Sequence, residues 1–329
     1  MMVESSKGLF SVIIPTYNRE KIISEALGSI ELQSYRPIEV IVVDDGSSDN
    51  TSELVENWSN QVGSDNGISV HYSCQENSGP GAARNRGFEQ CSGEFIQFLD
   101  SDDLLHRERL SKIANVFRQT GADFIQTGFE SFDSASRSVT KQHFGRPGKN
   151  QIELALQGLL WANTLRSAFR RELLERIGPW DTEMTCFEDR DYVERAVIRA
   201  TKPVAIREIL ASARRGGSTR VSDRLRSYEG RRFRILCEKR LAEATRNRED
   251  ISTEAKSAFA SRVYALGFRS NASGWPDLGE QCGEIADSMG VGLDAKGKLR
   301  RLVWKTGRTG GLVYGALSKL KSALRKAKV

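Results

Sequence analysis

The sequence predicts an α/β fold: a mostly parallel sheet flanked by helices, followed by a C-terminal helical extension. Three observations point there. Short apolar runs of strand type alternate four times with helical segments within about the first 120 residues. Two of those runs, Ile38–Val43 and the stretch through Phe95, Ile96, Phe98 and Leu99, end abruptly in acids. Beyond Ser222 the chain changes character, with charged stretches that carry apolar residues at helical spacing. Parallel strands share a direction, so both acidic ends belong to one carboxyl edge, where open α/β sheets bind ligands.

Taken in order, Phe10–Ile14 is a first strand stopped by Pro15, and Thr16-Tyr17-Asn18-Arg19 connects it to a helix. Ile22, Ile23, Ala26, Leu27 and Ile30 give that helix its apolar face, and Pro37 marks its far side. Ile38–Val43 is a second buried strand that runs into Asp44-Asp45 and Gly46-Ser47-Ser48. Asn50 and Glu53 are spaced as a capping box for the next helix. Ile68–Tyr72 reads as a third strand, and Gly79–Gln90 as a loop entering a third helix. Glu94–Leu105 begins as the fourth strand and delivers Asp100, Asp102 and Asp103 with only Ser101 between them.

Composition sets the outer bounds. With 329 residues, 39% hydrophobic and 28% charged, the chain is a soluble globular type with room for two domains. The first apolar run, Leu9–Ile14, is too short for a secretory leader and follows the acidic Glu4. No run approaches the roughly 18 residues needed to cross a bilayer. Five scattered cysteines without a CxxC pair imply neither a disulfide framework nor a zinc site, and suit a reducing compartment. The net charge of +6 misleads as an average: residues 295–329 hold eleven Lys or Arg and no acid, which leaves the rest at about −5. The body is therefore not a basic nucleic-acid binder; only its tail is polycationic.

Three carboxylates within four residues repel one another, which leaves two readings of the acidic turn. A hard divalent cation with oxygen ligands sits among them, or the turn caps a following helix through Asp103. The usual phosphate-binding signatures are missing. No GxxxxGK[ST] occurs, and Gly79-Pro80-Gly81-Ala82-Ala83-Arg84 has Arg84 at the third glycine position and follows the third strand. The same segment still offers backbone amides with Arg84 and Arg86 near a helix start, suited to an anion or simply to solvent.

Together, Ser11–Arg19 (SVIIPTYNR), Val42–Asp49 (VVDDGSSD), Gly79–Gly87 (GPGAARNRG) and Phe98–Asp103 (FLDSDD) resemble the ordered signatures of family-2 glycosyltransferases. The resemblance covers roughly residues 8–220. It implies the GT-A fold, a Rossmann-like nucleotide-sugar-binding sheet, and the action of an inverting, hexosyltransferase-type enzyme on a UDP-sugar. Asp100-Ser101-Asp102 matches the family's DxD motif. By that match Asp102 is the main ligand of a Mn²⁺ or Mg²⁺ ion, and Asp100 with Ser101 lies toward the ribose or sugar. Pro15, Thr16, Tyr17, Asn18 and Arg19 would line the nucleotide pocket, Asp45 would accept from the base, and Gly79 and Arg84 would lie near the nucleotide. Such an ion bridges the diphosphate and stabilises the charge of the leaving group.

Ile177–Ala196 resembles the family's GxFD…ED segment, with Trp180-Asp181 in place of Phe-Asp and Glu188-Asp189 opening a helix. By that match Asp189 is the general base for an acceptor hydroxyl, while Glu188 and Trp180 hold the acceptor or orient the base. One displacement with one base gives inversion. Acids at a helix N-terminus are also favoured by the dipole alone. The three histidines, His71, His106 and His143, lie far from this segment. Where the family often has a His near a Gly-Ser pair, this chain has Ala213-Arg214-Arg215-Gly216-Gly217-Ser218. Arg214 and Arg215 there either neutralise the diphosphate directly or belong to a basic loop that closes over the donor.

The domain division expected is a catalytic domain over 8–222, a helical accessory domain over 223–294, and a basic amphipathic tail over 295–329. In the accessory part, Leu225–Arg248, Glu254–Ser270 and Leu278–Met289 read as helices separated at Gly274-Trp275-Pro276. Leu312–Val329 reads as a helix lying on an anionic membrane surface, as a solvated tail, or as a packing helix for a partner. The first would suit a lipid-linked or glycan acceptor and a place at the cytoplasmic face of the membrane. Two other functions stand beside transfer: a sugar-nucleotide nucleotidyltransferase, and an inactive sugar-nucleotide-binding protein. The former wants a Gly-rich basic loop after the first strand, where Pro15-Thr16-Tyr17-Asn18 stands instead.

Overall fold

The computed structural model describes residues 6–62, 66–160, 162–216, 225–293 and 295–305. The chain divides into two compact units, Met1–Lys149 with Ala162–Arg220, and Asn150–Trp161 with Val221–Val329. The expected first domain was continuous; instead residues 150–161 join the second unit. That excursion is invisible in local sequence because the segment carries only a short six-residue helix, Gln151–Leu156.

Among the described residues the first unit has nine strands: β1 Ser6–Thr16, β2 Ile38–Asp44, β3 Ile68–Cys74, β4 Gly93–Phe98, β5 Leu104–Leu105, β6 Phe124–Asp133, β7 Val139–His143, β8 Ser167–Arg170 and β9 Pro203–Arg215. They form one sheet in the order β3-β2-β1-β4-β8-β6-β9-β5, with β7 beside β6. The pairs β1–β2, β1–β4, β2–β3 and β6–β9 are parallel, while β8 is antiparallel to both β4 and β6. So β1, β2, β3, β4, β6 and β9 share one direction and bring their carboxyl ends to one edge. The helices are α1 Ile23–Glu31, α2 Thr51–Val62, α3 Pro80–Gln90, α4 Arg109–Thr120, α6 Arg171–Ile177 and α7 Glu188–Arg199. Between β7 and β8 the chain forms α5 Gln151–Leu156, which belongs to the second unit.

Local chemistry explains the elements. Every residue of β2, IEVIVVD, is buried, as expected for a strand covered by helices on both faces. Pro15 does not stop β1, which runs on to Thr16. The Ile13 carbonyl accepts from Leu99 N–H at 3.0 Å. Alternate residues of a strand face the same neighbour, so the Pro15 nitrogen faces the side where β4 has already ended, and its missing N–H costs no ladder bond. In place of an Asn50–Glu53 capping box, the Asp49 carboxylate accepts from Thr51 N–H at 3.1 Å at the start of α2. Helix α3 packs flush on β1 because Gly87 has no side chain; a Cβ there would lie 2.4 Å from Ile13 Cγ2. Phe10, Val12, Ile14, Phe95, Phe117 and Ile125 are among the core between sheet and helices, with Phe95 and Phe117 stacked at 4.8 Å. After Phe129, β6 and β7 pair as a hairpin.

The second unit is helical, with α5, α8 Tyr228–Thr245, α9 Thr253–Ala272, α10 Pro276–Asp287 and α11 Ala295–Lys305. Ser227 and Ser252 cap α8 and α9 by accepting from Gly230 and Ala255 N–H. Gly274, at φ 86, and Pro276 make the expected break between α9 and α10. The Trp304 indole N–H donates to the Gly279 carbonyl at 2.7 Å, and its ring fills the space left open by Gly283. The tail helix expected over Leu312–Val329 lies outside the described residues. Among the described residues no helix is long and apolar enough to cross a membrane. None of the five cysteines forms a disulfide.

Candidate active site

The acidic turn stands where β4 ends, at the carboxyl edge of the sheet. Asp103 N–H donates to the Asp100 carbonyl at 3.0 Å, which closes the turn. Asp103 does not cap a helix, contrary to one expectation. Strand β5 follows it directly and α4 starts only at Arg109. Its buried carboxylate instead accepts from the backbone N–H of Arg214 in β9 at 2.9 Å. Burial, then Asp102 and Asp100, push the Asp103 pKa well above the usual carboxylate range.

The turn is tied to the second half of the unit through Arg84. This side chain of α3 is buried, and one of its terminal nitrogens donates to Asp100 Oδ1 at 2.6 Å and lies 3.5 Å from Asp189 Oδ1. The Asp100 and Asp189 side chains keep 34% and 27% of their exposure, so both remain reachable from solvent. The Arg84 guanidinium lies 4.5 Å from the Trp180 ring centroid, and Trp180 stacks on Tyr192 of α7 at 4.0 Å. Asn85, the next residue of α3, accepts from Trp180 N–H at 2.8 Å and donates to the Trp180 carbonyl at 3.1 Å. Helix α3 thereby holds the turn before α7 by its backbone. That turn passes through Phe187 at φ 66, a left-handed conformation that non-glycine residues seldom adopt.

The electrostatics single out Asp189. Burial raises its pKa to about 7; Arg84 opposes that shift, while Asp100 and Glu188 add to it. Its Oδ2 accepts from Thr164 Oγ1 at 3.5 Å. Burial also raises the Glu188 pKa, again against Arg84. For Arg84, burial favours the neutral form, but Asp100, Asp189 and Glu188 outweigh it and hold the pKa above the ordinary value. A carboxylate poised near neutrality beside a reachable opening has the properties of a general base.

The remaining expected donor residues line the ends of β1 and β2. Pro15 and Thr16 close β1; Thr16 is buried, and its hydroxyl has no partner among the described residues. Tyr17 is exposed. Asn18, at φ 51, donates its N–H to Ser47 Oγ and accepts from Ser48 N–H, both at 2.8 Å. Arg19 N–H donates to Thr51 Oγ1 at 2.8 Å. Asp45 is buried and accepts from Ser78 N–H, Gly79 N–H and Gln75 Nε2, each at 2.8 Å, so it shapes the loop before α3. Gly79 adopts φ 88 there. Ser101 is buried in the acidic turn.

Arg214 and Arg215 are not equivalent. Arg214 is buried; it donates from Nε to the Asp102 carbonyl at 3.0 Å, pairs with Glu25 at 3.0 Å and stacks on Phe132 at 4.9 Å. Arg215 is exposed at the end of β9 and donates from Nε to Ser131 Oγ at 3.2 Å.

The acidic turn fits a divalent cation by its chemistry. Burial, then Asp100, raise the Asp102 pKa, and Arg19 and Arg214 offset this only in part. The nearby arginines therefore leave Asp102 incompletely compensated, and a hard cation would supply the remaining charge to oxygen ligands. Among the described residues no three His, Cys, Asp or Glu side chains are grouped to hold an ion by themselves.

Sequence reasoning missed Asn85 and Thr164. Asn85 stood inside the quoted GPGAARNRG segment and could have been found there. Thr164 follows an ordinary loop with no local signal.

A profile of the glycosyl transferase family 2 matches residues 11–178. The chain is 39% identical over 196 residues to the poly(ribitol-phosphate) beta-N-acetylglucosaminyltransferase TarS of Staphylococcus aureus, a match covering 59% of this chain and 33% of that enzyme. It is 30% identical over 168 residues to a GalNAc(5)-diNAcBac-PP-undecaprenol beta-1,3-glucosyltransferase of Campylobacter jejuni, covering 50% and 52%. The chain spans about half the length of these curated relatives, or less. Its fold matches S. aureus TarS 1–349 in complex with UDP-GlcNAc, with a TM-score of 0.68 at 21% identity over 92% of this chain and 87% of that one. It also matches a Pyrobaculum calidifontis mannosyltransferase in complex with GDP-Man and Mn²⁺, with a TM-score of 0.51 at 21% identity over 96% and 82%. The fold is of the GT-A type, and with a profile match across half its length the chain belongs to glycosyl transferase family 2.

Proposed function

We propose that the first unit is a metal-dependent inverting glycosyltransferase that moves a sugar from a UDP-sugar to a hydroxyl of a glycan or lipid-linked acceptor. The observation that carries this reading is the convergence of Asp100 and Asp189 on the single buried guanidinium of Arg84. It sets a donor-side carboxylate and a carboxylate poised near neutrality at one opening. The Staphylococcus and Campylobacter relatives bear the names of enzymes acting on a polymer and on an undecaprenol-linked glycan, which supports the acceptor class.

Residues 15–19 and Gly79 receive the nucleotide, and the unpaired Thr16 hydroxyl offers it a polar contact. Asp45 holds the loop against which the base rests. Asp102 would hold Mn²⁺ or Mg²⁺, which supplies positive charge to the departing diphosphate when bound, while Asp100 lies toward the ribose or sugar. Asp189 takes the proton of the acceptor hydroxyl as that oxygen attacks the anomeric carbon opposite the diphosphate, which gives inversion. Glu188 and Trp180 shape the acceptor side. Arg214, already engaged by Glu25, holds the acidic turn, whereas the exposed Arg215 meets the diphosphate. Five cysteines without a disulfide suit the reducing cytoplasm, and the cationic tail suits its membrane face.

A thermal-shift screen of UDP-GlcNAc, UDP-glucose and GDP-mannose, each with and without Mn²⁺, tests the donor site. A Mn²⁺-dependent shift with a UDP-sugar is expected. No shift with any of the three would overturn the reading.

A further inference from the structure

Beneath the acidic turn lies a cation that, among the described residues, has no acid partner. Arg109, the first residue of α4, is fully buried, yet its guanidinium donates to neutral acceptors. Its Nε and Nη2 donate to Gln97 Oε1 at 2.9 and 2.8 Å, and its Nη1 donates to Thr127 Oγ1 at 2.8 Å. Burial, followed by the like charge of Arg166, pulls its pKa down to about 9. Well-packed apolar residues are often at least as stable as buried charges, so packing alone does not account for this residue.

What the arrangement provides is geometry. Two guanidinium donors on one amide oxygen fix which way the Gln97 amide faces, because the flipped amide would set donors against donors. Held in that sense, Gln97 Nε2 donates to the Phe98 carbonyl at 2.6 Å and toward the Thr164 and Leu165 carbonyls at 3.3 and 3.5 Å. Phe98 ends β4, two residues before Asp100. Thr164 reaches Asp189 Oδ2 with its hydroxyl. One buried amide therefore ties together the two backbone segments that carry and support the carboxylates sharing Arg84.

We infer that Arg109 and Gln97 are positioning residues for transfer, setting the separation of Asp100 and Asp189 through the orientation of the Gln97 amide. The inference rests on the reading of Asp189 as general base. A displacement of about 1 Å at such a pair costs on the order of a hundredfold in rate.

Gln97→Glu keeps an oxygen for Arg109 but replaces the amide donor with an acceptor facing three carbonyls. Thr164→Val removes only the hydroxyl on Asp189. Both are assayed for turnover of UDP-GlcNAc with Mn²⁺ and for UDP binding by calorimetry, beside Asp189→Asn. The expected result is kcat lowered roughly 10- to 100-fold in Gln97→Glu and several-fold in Thr164→Val, with KM and the UDP Kd within about twofold. A merely structural role would weaken UDP binding in step with kcat, and that outcome overturns the inference. So does wild-type kcat in both variants. If Gln97→Glu fails to fold, Thr164→Val decides alone. Turnover by Asp189→Asn removes the base assignment itself, whereas a dead Asp189→Asn beside unimpaired Gln97 and Thr164 variants removes only the positioning role.

Discussion

The Arg84 guanidinium lies 3.5 Å from the Asp189 carboxylate while donating to Asp100 at 2.6 Å. One buried cation thus serves an acid of the turn after β4 and the candidate base. Its positive charge lowers the Asp189 pKa against the effect of burial. Replacing it with neutral Gln should therefore raise that pKa above neutrality. At pH 7 the base would then be mostly protonated, so kcat/KM should fall by roughly tenfold or more, and the acid limb of the pH profile should move to higher pH. A profile of Arg84→Gln with an unmoved acid limb would show that the two groups do not interact in the working enzyme.

The wild-type pH profile follows from the same shift. Burial raises the Asp189 pKa to about 7, which disfavours its ionised form. A base must be ionised to act, so transfer should be low at pH 5 and rise through pH 7. Asp189→Asn should lower kcat by about 10² to 10⁴ above pH 7, lose less toward pH 5 where the wild-type base is itself protonated, and leave UDP binding intact. Steady-state kinetics between pH 5 and 9, paired with calorimetry, measures both.

Much of this site was legible in sequence, and what was not has physical causes. The run Phe95–Leu99 ending in acids revealed both a buried strand and its polar edge, because burial and charge are written in composition. Glu188-Asp189 was legible as the start of α7 through the family motif. Arg84 was legible as a residue near a nucleotide, yet its bridge to Asp189 joins residues 105 positions apart and exists only in the fold. Asp103 was expected to cap a helix because local rules favour that; β9 arrives instead and supplies the Arg214 N–H. Pro15 was expected to stop β1, since the early end of β4 cannot be read from the Pro itself. The buried Arg109 was overlooked because an arginine beside Arg107 and Glu108 looks like solvated surface.

Arg214 carries a prediction of its own. It holds the Asp102 carbonyl through Nε and the Asp103 carboxylate through its backbone N–H, with Glu25 behind it. Arg214→Met should loosen the turn that presents Asp102 and weaken Mn²⁺-dependent UDP binding by roughly tenfold, as losses in the layer behind a metal ligand commonly do. Asp102→Ala should abolish the Mn²⁺ dependence outright. Arg215→Ala, at an exposed position, should lower affinity for UDP while leaving uridine binding unchanged. Titrations with UDP, uridine and Mn²⁺ separate the three roles.

The cationic tail offers the last test. Residues 306–329 carry six Lys or Arg and no acid, with Leu312, Leu317, Leu320 and Leu324 interleaved. Each cation near an anionic leaflet contributes about 1 kcal/mol, and salt screens that attraction within a Debye length. The full chain should therefore sediment with vesicles rich in anionic lipid at low ionic strength, and release in about 0.5 M NaCl, where the Debye length has shrunk to a few ångströms. A chain ending at Lys305 keeps Trp304 seated against Gly279 and should stay in the supernatant. Equal sedimentation of the two chains would remove the tail from membrane binding and leave transfer by the first unit untouched.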